Sequence, residues 1–411
     1  MSLSADPFTF SFFLFYPLSL LAAVLAGGSL RRFGFPVPKG PRFGNIDGLR
    51  GFLALSVLSH HFWIWTHVVV LGQPWSAADL AIVNQLGAGA VALFFMITGL
   101  VFYPTALKGI GNVFWPKVYI GRFFRIVPLV AVSFLIISLV IMLRTGARPD
   151  AGYARAALEW ISAHREVPIM GYADSGLVNA LVLWSLWQEW LFYLILLPAV
   201  ALALQLAKAM KLPSWTVSVG VLLVGIVAHF LHFAPGLLSF WPLFAAGMLA
   251  YELCARDAVR RWLASRTAAV IATLAMIPAV TLFDHGLTPA FFPFAFFFCC
   301  VAAGNRFGGI FSLPGAAVVG EVSFGIYLLH GILLNILFVD ATPIVQAIPV
   351  AALPLLIPLL AVLIVLITAA TYLLIERPAW RFGKRVGERL RPAATRTAGG
   401  TAETAGVQSR G

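Results

Sequence analysis

Eleven apolar runs follow one another along the chain, near residues 9–27, 48–71, 86–104, 123–143, 178–204, 214–232, 236–252, 267–283, 288–303, 319–339 and 346–375. Most approach the roughly 20 residues that a helix needs to cross a bilayer, and polar residues gather in the short stretches between them. The pattern predicts an all-α fold, a polytopic transmembrane helical bundle of about eleven helices. The last run holds Pro354 and Pro358, so it is expected to kink or tilt. The first run has only Asp6 before it and no basic n-region, so it reads as an ordinary span and not as a signal peptide. No internal repeat is visible. The stretch after Arg391 is small and polar and is expected to be disordered.

Composition strengthens this picture. Hydrophobic residues make up 61% of the 411 and charged residues only 11%, against about a quarter in a soluble domain. No water-soluble core buries that much apolar surface at this length, so lipid is the expected solvent. The formal charge of +12 could suggest nucleic acid, but its placement argues against it. One alternating set of loops, with the C-terminal stretch, holds 24 of the 28 Lys and Arg. The other side holds Arg144, Arg148, Arg155 and Arg165, all within 144–177. The positive-inside rule then places the basic loops and the C-terminus in the cytoplasm and the N-terminus outside, in a multi-pass protein of the cell's inner (plasma) membrane. Cys254, Cys299 and Cys300 have no disulfide or metal-ligand spacing and read as packing residues.

Charge at membrane depth is costly, so each such residue is a functional candidate. The second helix carries Asp47, Arg50 and His61 in NIDGLRGFLALSVLSHH. Arg50 and His61 are eleven residues apart, near three full turns, so they share one face about 16 Å apart. Asp47 lies one turn before Arg50 and can pair with it. The fifth run carries Glu189, whose depth, counted from the outer side, matches that of His61. An imidazole and a carboxylate at one level suggest general acid–base chemistry. His330, with Tyr327 one turn earlier, lies about ten residues into the tenth helix. A second group, Arg50, Arg122, Arg125, Glu376 and Arg377, collects at the cytoplasmic edge. Guanidinium forks there suit a phosphorylated cytosolic ligand. The plainer reading of edge Arg and Lys is topology and lipid anchoring, and that of His60, His229 and His232 is helix packing.

These segments, in order, resemble the membrane-bound acyltransferase family 3, the O-acetyltransferase-like integral membrane acyltransferases. The likeness covers roughly residues 43–382. The family's early Arg and His, ten residues apart, correspond to Arg50 and to His61 rather than His60. GAGAVALFFMITGLVF resembles its Gly-rich stretch, with Thr98 where Ser is usual. GRFFRIVP resembles its basic pattern, with Gly121 in place of the first paired Arg. WSLWQEWLFY resembles its Trp-Ser-Leu-x-x-Glu segment and places Trp184, Ser185 and Glu189. VSFGIYLLH and IERP resemble the late segments, with Phe324 in place of a common Tyr.

The resemblance implies an O-acyltransferase that moves an acyl group, acetyl by default, from acyl-CoA to a hydroxyl of a carbohydrate or glycolipid. It implies His61 as the catalytic His and Arg50 as its companion. The expected division is residues 1–42 as an added N-terminal helix and linker, 43–382 as a ten-helix acyltransferase domain, and 383–411 as a cytoplasmic disordered tail. Arg50, Arg122 and Arg125 would hold the CoA phosphates, with the extended arm running inward to the thioester. His61 would act as base with Glu189 orienting it, and Ser185, Tyr327 or His330 would serve the oxyanion. Asp47, Glu376 and Arg377 are expected in structural ion pairs. Partners are acyl-CoA, the acceptor and membrane lipid, with neither nucleic acid nor metal. A secondary transporter is the rival, since it too carries midplane charge.

Overall fold

The computed structural model describes residues 7–37, 44–285 and 287–390. Among the described residues the regular elements are all helices, apart from an isolated bridge between Ile169 and Tyr172. In chain order the helices are α1 (Pro7–Arg32), α2 (Gly44–Val69), α3 (Ala81–Ala106), α4 (Trp115–Thr145), α5 (Tyr153–Ile161), α6 (Leu183–Ala209), α7 (Trp215–Phe230), α8 (Pro235–Cys254), α9 (Asp257–Leu263), α10 (Arg266–Leu282), α11 (Phe291–Ala302), α12 (Pro314–Glu321), α13 (Ser323–Asp340) and α14 (Val350–Arg389). Each of the eleven apolar runs contains a helix. Among the described residues eight helices are long and apolar enough to cross a membrane; α9 with α10, bent by 61° at their break, would make a ninth. Helices α7 and α11 are shorter apolar helices.

Glycines let the backbones approach. A Cβ added at Gly99 on α3 would lie 2.0 Å from the Phe244 carbonyl oxygen on α8, and one at Gly247 would lie 1.9 Å from that of Met96. At the crossing of α2 with α12, a Cβ on Gly320 would lie 1.8 Å from the Asp47 carbonyl oxygen. Small residues supply such close crossings where lipid removes the hydrophobic drive between helices.

Two prolines shape the long helices. A proline offers no N–H to the carbonyl four residues earlier and crowds it. In α6, Pro198 follows a wide turn at Phe192–Leu196, where Leu197 bonds back five residues to Phe192. In α14, Pro378 follows the same turn at Tyr372–Glu376. Such bulges re-aim side chains; here they lie where Tyr193 and Tyr372 line one cavity. The expected distortion at Pro354 is a tight 3-10 stretch, Val350–Leu355, that opens α14. That helix continues to Arg389, beyond the expected boundary at 382, and the polar stretch from 391 lies outside the described residues.

The stretch 144–177, read from sequence as a loop, is structured, and residues 179–182, read as the start of the next helix, are not helical. The amphipathic α5 packs on α4, with Tyr153 donating to Ser138 at 3.1 Å. The buried Trp160 donates its indole N–H to Val167 at 2.8 Å. Residues Ser175–Val178 then fold into the bundle, and Asn179 and Ala180 are buried. A Cβ on Gly331 of α13 would lie 2.5 Å from the Asn179 carbonyl carbon, so this stretch reaches the interior before α6 begins.

Candidate active site

Four arginines line one cavity of about 1230 Å3: Arg50 from α2, Arg122 and Arg125 from α4, and Arg377 from α14. The arginine-rich end is therefore built from three helices far apart in sequence. Arg122 lies over the rings of Phe102 at 4.7 Å and Tyr193 at 5.6 Å. Arg125 pairs with the buried Glu376 at 3.4 Å, and its guanidinium lies 5.9 Å from the centre of the Phe324 ring. Arg50 keeps Asp47 at 3.9 Å, as the one-turn spacing predicts. Arg377 departs from expectation: among the described residues it has no ion pair, and it faces the cavity instead. Glu376 and Arg377 are adjacent on a helix, so their side chains diverge by about 100°. Trp380 and Tyr372 complete this wall, and reading the sequence missed them.

The cavity narrows into a throat of about 430 Å3. Arg50, Phe94, Glu189 and Phe324 line both, and the throat runs on to Ser185 and Tyr327. Ser185 and Tyr327 are joined at 2.6 Å, and both also reach the Val182 carbonyl, Ser185 at 3.1 Å and Tyr327 at 3.2 Å. The throat thus ends on a closed hydrogen-bonded triangle.

One turn beyond Tyr327 stands His330, fully buried. Its Nδ1 lies 3.0 Å from the Ile326 carbonyl oxygen, which only accepts, so Nδ1 carries the hydrogen. In the neutral ring, Nε2 is then an acceptor. His61 Nδ1 lies 2.9 Å from that nitrogen, so His61 is the donor. With both rings neutral, His61 Nε2 is left with a lone pair. The backbone of α13 therefore sets the tautomer of an imidazole on α2. Trp75, from the α2–α3 connection, stacks on His61 with centroids 6.1 Å apart. His60 points elsewhere: its Nδ1 donates to Val83 at 2.9 Å, and its ring packs on Gly87 of α3.

This arrangement corrects the expected pairing of His61 with Glu189. Glu189 accepts from Tyr193 at 3.3 Å and shares the arginine cavity, while the partner of His61 is His330. The physical reason is the inward fold of residues 175–182. It starts α6 at Leu183, already deep in the bundle, so Glu189 comes to the level of Arg50. The phenol and hydroxyl of Tyr327 and Ser185 do stand together, but their hydrogens are committed to the triangle.

Two features remain at the opposite end. A cavity of about 710 Å3 is lined by Trp184, Phe240, His229 and His285 and shares Val91 and Phe95 with the throat. Beside it, Glu166 accepts the Leu183 N–H at 3.1 Å. Burial pushes this carboxyl up to about 7, against the opposing pull of that hydrogen bond. A raised carboxyl favours the folded state below its ordinary value of 4.5, and that advantage is lost as pH rises through 7. Glu166→Gln keeps an acceptor for Leu183 without the charge. Its thermal stability is expected to equal the wild type below pH 4.5, to exceed it progressively up to pH 7 and to hold that margin above. Melting curves across that range check it, and a margin independent of pH would refute it.

A sequence profile described as an acyltransferase domain matches residues 43–375, more than half of the chain. No curated protein and no solved structure matches it. The class that fold and profile define is a multi-pass membrane enzyme that transfers acyl groups. The chain belongs to the membrane-bound acyltransferase family 3.

Proposed function

We propose that the protein takes an acyl group, acetyl by default, from acyl-CoA on the cytoplasmic side and passes it to a hydroxyl of a carbohydrate or glycolipid. What supports this is a single continuous path. It starts among four arginines, narrows past Glu189, and ends at Tyr327, one turn from a histidine pair whose outer nitrogen holds a free lone pair. The arginine-rich end is cytoplasmic by the bias of basic loops. Phosphates of the donor sit among Arg50, Arg122 and Arg377, with Arg125 partly neutralised by Glu376. The donor's extended arm follows the throat inward. The cavity at the other end, walled by Trp184 and Phe240, offers aromatic faces and room for the acceptor.

His61 Nε2 then takes the proton of the acceptor hydroxyl as that oxygen attacks the thioester carbonyl. The C–S bond breaks, and the sulfur leaves as thiolate and recovers the proton from His61. His330 accepts the Nδ1–H throughout and supports the transient imidazolium. No metal is called for in this scheme.

Membranes containing the protein, given acetyl-labelled acetyl-CoA, are expected to yield labelled acceptor. Arg122→Ala and Arg377→Ala should each raise the KM for acetyl-CoA about 10–100-fold, the weight of one lost charge-assisted bond. Wild-type KM in both would end the phosphate assignment. Substrate flux in proteoliposomes without any acyl donor would point to transport instead.

A further inference from the structure

The last turns of α14 carry a tryptophan that the fold leaves unengaged. Residues 376, 380, 383 and 387 follow the spacing of one helix face, and three of them meet α4. Glu376 pairs with Arg125 at 3.4 Å. A Cβ on Gly383 would lie 2.7 Å from the side chain of Phe124, and one on Gly387 would lie 3.3 Å from that of Lys117. Trp380 sits inside this packed stripe, yet it is 43% exposed. Among the described residues no aromatic ring or guanidinium stacks on its indole, and nothing accepts its N–H. Its neighbour Phe382, by contrast, packs on Phe124 with ring centres 5.2 Å apart.

What Trp380 borders is the arginine cavity, together with Arg50, Arg122, Arg125 and Arg377. A tryptophan that anchors a helix in the lipid interface turns its ring toward lipid. This one lies on the face turned to α4, where the two helices bound the cavity. Its place along the wall is informative. Arg50 lines both throat and cavity, so it marks the inner end. Trp380 lines the cavity alone, about one turn beyond Arg377 toward the helix end that the basic loops place in the cytoplasm. A CoA thioester, followed outward from its acyl group, presents its arm, then its phosphates, then its adenine. In the same direction the wall presents the throat, then the arginines, then the indole.

We propose that Trp380 is a donor-binding residue: its indole stacks on the adenine of acyl-CoA and so selects a nucleotide-bearing thioester over the same acyl group on the phosphopantetheine arm of a carrier protein. This rests on the acyl-CoA reading above. Both donors bring the same arm and a phosphate for the arginines, and only the nucleotide brings a flat base. A base and an indole each offer a broad π face, and stacking takes both faces out of water. The contact is far from the reacting carbon and is the same before and during transfer, so it acts on KM.

Trp380→Ala is expected to raise the KM for acetyl-CoA about tenfold, with the loss falling on KM and not on kcat. Trp380→Phe keeps a ring and should stay within about threefold of wild type. The discriminating probe is phosphopantetheine, which lacks the base. Its inhibition constant against acetyl-CoA should be the same in all three proteins. KM and inhibition constant do not depend on how much folded protein a variant yields, so poor expression leaves the test intact. Wild-type KM in Trp380→Ala would make Trp380 an interfacial anchor, and equal weakening of acetyl-CoA and phosphopantetheine would make it a wall that shapes the whole cavity. Either result overturns the proposal alone. Wild-type protein that leaves acetyl-CoA untouched would remove the acyl-CoA reading itself, and this role with it.

Discussion

Membranes carrying His61→Ala are expected to transfer acetyl from acetyl-CoA about 10⁴-fold more slowly than wild type, at equal protein level and equal donor affinity. The figure is at the upper end for one acid–base group, because the same nitrogen both takes the acceptor's proton and returns it to the leaving sulfur. Donor affinity should hold, because His61 lies three helical turns from the arginine cavity and does not line it. The companion variants test the tautomer argument. His330→Ala removes the acceptor that holds His61 Nδ1–H, and the ring is free to adopt the other tautomer. His330→Gln can still accept through its amide oxygen. We expect alanine to cost about 10²-fold or more and glutamine clearly less, with the pH optimum displaced in both. Unchanged transfer in His61→Ala with normal protein would end the base assignment. Equal losses in the alanine and glutamine variants would leave His330 as a packing residue.

Part of this site could be read along one dimension and part could not. Arg50 and His61 lie on a single unbroken helix, so an eleven-residue interval converted directly into a shared face and a distance. The choice of His61 over His60 follows from the same interval, and His60 is indeed turned toward Val83. Arg122 and Arg125 were likewise legible, one turn apart on α4. Glu189 was not, because its depth was counted along a helix assumed to begin near 178. The chain there makes a left-handed turn at Ala180 and Leu181, residue types that carry no turn signal, and only tertiary holds impose it. The His61–His330 pair needs α2 against α13, a contact between residues 269 apart that no local pattern encodes. Arg377 was misjudged for a local reason: it was expected in an ion pair, whereas helical geometry sends Glu376 to Arg125 and Arg377 to the cavity.

The second large effect concerns the frame that carries the throat. Gly247→Val is expected to leave almost no folded protein in the membrane, whereas Gly220→Val should accumulate and melt like the wild type. Both glycines sit within helices of similar apolar character, so propensity does not separate them. What separates them is the space beside each Cα. A Cβ at Gly247 would fall 1.9 Å from the Met96 carbonyl oxygen, and backbone cannot swing aside as a flexible side chain can. A Cβ at Gly220 meets nothing within 4 Å. Ordinary contact needs about 3.4 Å, so α3 and α8 would have to part by more than 1 Å along most of their crossing. Helix α3 carries Val91, Phe94 and Phe95, which wall the throat, so any variant that survives by separating the helices should also lose donor binding. Gly247→Ala provides the graded case: it introduces the same Cβ with no further bulk, and it should be destabilised nearly as far as valine. Abundance in membranes and thermal melting in detergent read both effects. Wild-type abundance of Gly247→Val would show that the two helices yield at this crossing, and that glycine there serves something other than close approach.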